Sequence, residues 1–248
     1  MMIQITQQSV VAEAFDLPRL RAEFAEQGSL LLPNLFAPAI LAYLVHKIGV
    51  ANFVLKHEGS PTYPAKRGAH DQAHDNHEQD DHEAHEFGTT LFMPPTEQAY
   101  FFFHLLLNKP ALFTLVEQIT GCGPIGNFMG RIHRTLAHEN QQIDWHDDIA
   151  DTRLVGLNVN LSTEPYQGGR FQLREKASQR PLGDIGNVGL GNAFLFRVSP
   201  TVEHRLTPVE GCGIRTVGVG WFRAQPDWQH FASSYFKPSQ NQTTITGK

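Results

Sequence analysis

The chain is poor in cysteine. Cys122 and Cys212 are its only two, too few for a disulfide framework or a thiolate zinc site, and their glycine neighbours mark them as structural residues in turns, kept as thiols in a reducing compartment. It also has no surplus of positive charge. Lys+Arg 20 against Asp+Glu 25 gives a net charge of −5 over 248 residues, so no basic field exists to hold a polyphosphate backbone and no nucleic-acid partner is expected. No stretch approaches the roughly 20 apolar residues that span a bilayer. The opening MMIQITQQSVVAEAF lacks the basic start and apolar run of a signal peptide, so the expected setting is the cytoplasm without a membrane partner. What the chain has in excess is histidine. Thirteen residues of the commonest metal-ligating side chain stand in an otherwise ordinary composition.

The front of the chain has helical texture. Asp16 precedes a proline in the first turn, Leu17, Leu20 and Phe24 recur at helical spacing, and Gly28 ends the run. Residues 29–33 read as a short apolar strand, Pro38 opens a second helix, and residues 100–107 and 110–119 form two buried helices broken at Lys109-Pro110. From Gly130 onward, short β-branched and aromatic runs at 154–161, 170–173, 193–198 and 214–222 alternate with Gly, Pro, Asn and Asp clusters. Helices followed by many short strands predict an α+β fold in which the helices buttress a sandwich or barrel. One domain is expected over 1–248, with mainly helical support in 1–125, a catalytic core in 126–225 and a tail in 226–248. Residues 70–86, HDQAHDNHEQDDHEAHE, carry five His and seven Asp or Glu and no apolar residue larger than Ala, the composition of a surface loop.

The strongest local signal is Trp145-His-Asp-Asp148. On an extended strand, His146 and Asp148 face the same side and can reach one cation, although an isolated H-x-D also reads as a surface turn. Downstream stand Gly168-Gly-Arg-Phe-Gln-Leu173, Gly191-Asn-Ala-Phe-Leu-Phe196, Glu203-His-Arg-Leu-Thr-Pro-Val209 and Gly213-Ile-Arg-Thr-Val-Gly-Val-Gly-Trp-Phe222. In this order the series resembles the Fe(II)- and 2-oxoglutarate-dependent oxygenases, in particular their prolyl-4-hydroxylase-like branch. A looser similarity reaches residues 28–36.

The resemblance implies a double-stranded β-helix, or jelly roll, with His146, Asp148 and His204 as iron ligands. Two neutral imidazoles and one carboxylate leave three octahedral positions for a bidentate 2-oxo acid and dioxygen, as a closed four-ligand zinc site would not. It also implies that 2-oxoglutarate is converted to succinate and CO2 while an unactivated C–H bond is hydroxylated, with ascorbate as reductant. A carboxylate at Asp148, where related halogenases have a small residue, argues against halogenation. Arg215, eleven residues past His204, is expected to take the distal carboxylate of the co-substrate through its planar fork; its alternative is a strand-edge charge. Many relatives carry Ser or Thr two residues later, where this chain has Val217.

Asn158 and Asn160 share a face and could bond the 2-oxo acid or the substrate. Arg131, His133 and Thr135 share another, as pocket lining or as a surface ladder, and Arg131 is the one assigned to the co-substrate. Arg153 reads either as a partner for an acidic substrate group or as a solvated charge. The substrate class left open is a small molecule, an amino acid or a peptidyl residue, chosen by the helical front and residues 57–92, with 70–86 placed as a lid. A jelly-roll protein that holds a metal without turnover, or a His-rich metal store, are the rival readings.

Overall fold

The structure, a computed structural model, describes residues 2–13, 16–56, 90–137, 143–149 and 152–225. The expected loop at 70–86 and tail at 226–248 lie outside the described residues. In chain order the front contains β1 (Met2–Ile5), β2 (Val10–Glu13), α1 (Leu17–Gln27), β3 (Ser29–Leu32), α2 (Pro38–Val50), β4 (Val54–Lys56), β5 (Thr90–Phe92), α3 (Gln98–Leu107) and α4 (Pro110–Thr120). Then follow β6 (Asn127–Leu136), β7 (Ile143–His146), β8 (Arg153–Asn160), β9 (Gln167–Gly168), β10 (Phe171–Glu175), β11 (Pro181–Ile185), β12 (Ala193–Arg197), β13 (Val202–Leu206), β14 (Val209–Glu210) and β15 (Ile214–Arg223).

Local chemistry sets the helix ends. The Asp16 side chain accepts the Arg19 N–H at 3.1 Å, and Gly28, in the left-handed region at φ 67°, returns its N–H to Phe24 O. The break between α3 and α4 falls at Lys109-Pro110 as the proline requires. No single helix among the described residues is long and apolar enough to cross a membrane; α3 and α4 would pass together on length and composition but are bent by 58°. Both bury apolar side chains in the core.

Seven strands form the larger sheet, in the order β3-β12-β8-β15-β6-β5-β4, and four form the smaller, β11-β10-β13-β7. Side-chain parity separates two layers. Val155, Leu157 and Val159 of β8, Ala193 and Leu195 of β12, and Phe128 and Ile132 of β6 join the helices in the main core. The alternate residues of β12, Phe194 and Phe196, instead meet Phe171 and Leu173 of β10 between the two sheets. This is the expected jelly roll with helices against one face. The larger sheet does not respect the expected boundary at residue 125, because β3 closes one of its edges and β4 and β5 extend the other. Three-residue strands such as β4 are too short for a period-two pattern to reveal.

His104 ties α3 to β6. It is fully buried, its Nδ1 lies 2.9 Å from Tyr100 O, and its Nε2 lies 3.1 Å from Gly130 N. Burial pushes its pKa down to about 4 against the raising effect of the two backbone contacts, so the neutral ring donates from Nδ1 and accepts the Gly130 N–H at Nε2. An unfolded histidine binds a proton near 6.5, whereas this one resists until about 4, so stability is complete above 6.5 and lost as the pH falls. Between pH 7.5 and 5 the loss from this group should be about 2 kcal/mol. Urea unfolding of the parent and His104→Gln at the two pH values measures it, the variant being the less pH-sensitive by that amount.

Candidate metal centre

Among the described residues one group of side chains could hold a metal ion: His146, Asp148 and His204, whose ligand atoms all lie within 4.8 Å of one another. Pairing of β7 with β13 sets His146 directly opposite His204, and their rings are 4.3 Å apart. Along β13, His204 points between the sheets while Glu203 and Arg205 point away; Arg205 and Arg174 stack over the Trp145 ring on the outer side. Asp148 is not on the strand. β7 ends at His146, so the H-x-D spacing works through the residues that follow the strand and not through strand parity alone.

The neighbours of the three side chains fix their orientation. Asp144 O accepts from His146 Nδ1 at 2.7 Å, which leaves Nε2 with its lone pair for a cation. Phe171 stacks on the His204 ring at 4.9 Å and Phe196 meets it edge-on at 5.0 Å. Asp148 accepts the Trp221 Nε1–H at 2.8 Å and faces His204 Nε2 at 3.3 Å and Arg153 at 3.4 Å. Burial raises the Asp148 pKa, but the hydrogen bond and charge of His204, the charge of His146 and the Trp221 N–H outweigh it and hold it at about 2. It is therefore a carboxylate at neutral pH. Two imidazoles and a carboxylate, with oxygen and nitrogen donors only, fit a divalent iron with open positions.

Residues 130–223 match the family model described as the 2OG-Fe(II) oxygenase superfamily. Over this segment the chain is similar to that superfamily. No curated protein matches the sequence significantly. An oxidoreductase of the 2OG-Fe(II) oxygenase family from Burkholderia pseudomallei has a similar structure, with TM-score 0.59 and 14% identity over 92% of this chain and 97% of that one. A Pseudomonas putida prolyl-4-hydroxylase aligns with TM-score 0.52 and 17% identity, covering 85% of this chain and 100% of its own. The epimerase SnoN from nogalamycin biosynthesis aligns with TM-score 0.54 and 13% identity over 84% and 83%. At these identities the likeness carries the fold.

The inner face of the larger sheet carries a second polar group, beyond the three side chains of the metal centre. Arg215 is 3% exposed and its Nε has no hydrogen-bond partner. Burial lowers its pKa against an interaction with the Tyr166 hydroxyl that favours the charge. A guanidinium set against a phenol, with an N–H still to satisfy, suits an incoming carboxylate. Register places Thr135 opposite Arg215, His133 and Asn160 opposite Val217, and Arg131 and Asn158 opposite Val219, all on this inner face. Asn158 is buried and makes no side-chain hydrogen bond among the described residues. Asn160 is committed to the fold: its Nδ2 donates to Asn187 at 2.7 Å and its Oδ1 accepts the Ser162 N–H at 3.0 Å. Arg131 lies over the Phe92 ring at 5.1 Å.

Arg153 is partly exposed, and its charge is paired at the metal centre. It lies flat on Trp221 at 3.7 Å and bonds the Asp148 backbone carbonyl and carboxylate. Trp221 itself went unmarked in the sequence, though its even spacing from Arg215 along β15 already put the two on one face. Trp221→Phe keeps a smaller aromatic ring beneath Arg153 and removes the N–H that Asp148 accepts. Loss of such an outer hydrogen bond to a ligand carboxylate should weaken metal binding by about tenfold or more. Titration of the folded variant with Mn(II) reads the change.

Proposed function

We propose that the protein is a 2-oxoglutarate-dependent dioxygenase that hydroxylates an unactivated C–H bond, working in the cytoplasm on a small molecule, an amino acid or a peptidyl residue. The observation that carries this is the convergence of two imidazoles and one carboxylate on the same interior that holds a buried, incompletely bonded guanidinium. Fe(II) is the metal and 2-oxoglutarate the co-substrate, and with dioxygen they supply the oxidising power that yields succinate, CO2 and the hydroxylated product. His146, Asp148 and His204 hold the metal. Arg215 binds the distal carboxylate of the 2-oxo acid in two parallel hydrogen bonds, and Asn158 and Arg131 line its path from metal to guanidinium. Phe171 from the smaller sheet and Phe194 and Phe196 from the larger one exclude water from the interior between them. A fold shared with a prolyl-4-hydroxylase and an epimerase leaves a peptidyl and a small-molecule substrate equally open.

Succinate release with Fe(II), ascorbate and 2-oxoglutarate tests the reading against a jelly roll that merely holds a metal. Turnover should be lost in His146→Ala, Asp148→Ala and His204→Ala with the circular dichroism of the parent retained. Full activity in a folded His204→Ala protein would remove the triad. Arg215→Ala should weaken 2-oxoglutarate by about 2–5 kcal/mol while leaving the metal bound, because it strands a carboxylate in a desolvated site.

A further inference from the structure

One buried polar side chain on the inner face has no part in the metal centre. His133 lies on β6, 7% exposed, and its Nδ1 is buried without a hydrogen-bond partner. Register sets it directly opposite Val217, two residues from Arg215, with Phe92 on its other side at a ring separation of 5.9 Å. Burial and the charges of Arg131 and Arg215 all oppose its protonation, so the ring stays neutral beside two cations. A neutral imidazole carries one N–H donor and one acceptor nitrogen; with the proton on Nδ1 that buried N–H requires an acceptor, which neither guanidinium nor Val217, the residue across the strand pair, provides. A carboxylate bound by Arg215 would be such an acceptor.

We propose that His133 is a positioning residue for the 2-oxo acid, donating a ring N–H to the distal carboxylate that Arg215 binds. This rests on the role given to Arg215 above. A bidentate guanidinium fixes the plane of a carboxylate but leaves lone pairs on both oxygens, and a donor from the adjacent strand fixes its rotation about the chain axis. The co-substrate would then be held at both ends without a hydroxyl on β15.

The test uses protein loaded with Mn(II), and calorimetric titration with 2-oxoglutarate and with 2-oxopentanoate, which has a methyl group where 2-oxoglutarate has its distal carboxylate. His133→Phe preserves the buried ring and removes the donor. It should weaken 2-oxoglutarate by about tenfold or more, the effect of one hydrogen bond to a charged group, while affinity for Mn(II) and 2-oxopentanoate stays at the parent value. His133→Gln, which restores an N–H, should recover part of the loss and keeps the test available if the Phe variant does not fold. In turnover the same loss should appear as a raised KM for 2-oxoglutarate with kcat retained. Unchanged 2-oxoglutarate affinity in His133→Phe, or equal weakening of both acids, would overturn the proposal and leave the Arg215 reading standing. Failure of the parent Mn(II) protein to bind 2-oxoglutarate would overturn both.

Discussion

Pairing of β7 with β13 is the contact on which the site depends. β7 has four residues, and β13 is its partner in the smaller sheet, so the position of His146 is inherited from His204. The register shift between His204 and Leu206 lets the short strand end where it does, with the chain turning at His146 toward the larger sheet. That turn delivers Asp148 to Trp221 on β15. The metal centre is thus a bracket between the sheets: two ligands on the smaller one, the third anchored to the larger. Whatever separates the sheets separates the carboxylate from the imidazoles, and the Phe171, Phe194 and Phe196 cluster is what keeps them together.

The interior between the sheets is divided electrostatically along the strands. At one end stands Asp148 with its two histidines; further along β15 and β6 come Arg131, His133 and Arg215. Burying a guanidinium is costly unless an anion compensates it, and the phenol of Tyr166 compensates less than a carboxylate would. A metal cation at the first end and a dicarboxylate reaching from it to the second would satisfy both halves together. The same polarity would bind less tightly an acid of similar length that lacks the distal charge, since Arg215 would then remain incompletely bonded.

The parts of the site legible in the sequence are those written as short local words. His146 with Asp148, His204 before Pro208-Val209, and Arg215 eleven residues on could be read in order because a strand carries its functional residue at a fixed offset from its turn. Helix ends were legible for the same reason, Asp16 and Gly28 acting on their own backbone. Pairing was not. The seats of β3, β4 and β5 on the larger sheet, the stack of Arg153 on Trp221, and the commitment of Asn160 to Asn187 depend on which strands become neighbours, and a single residue carries no record of that. Asn158 and Asn160 share a face, yet among the described residues only Asn160 is bonded through its side chain into the fold.

Two glycines acquire a physical reason once the sheets are assembled. A Cβ at Gly156 would fall 1.9 Å from the Phe196 ring, so only glycine on β8 lets that ring lie flat enough to meet His204 edge-on. At Gly169, φ is +56° and a Cβ would come within 2.8 Å of Arg215 Cδ. A side chain there would strain the backbone and push the guanidinium stem from its seat, so the second glycine of the Gly168-Gly169 pair serves Arg215, on a strand far along the chain, more than its own turn. Each glycine removes one side chain so that another, Phe196 or Arg215, can take its place in the interior between the sheets.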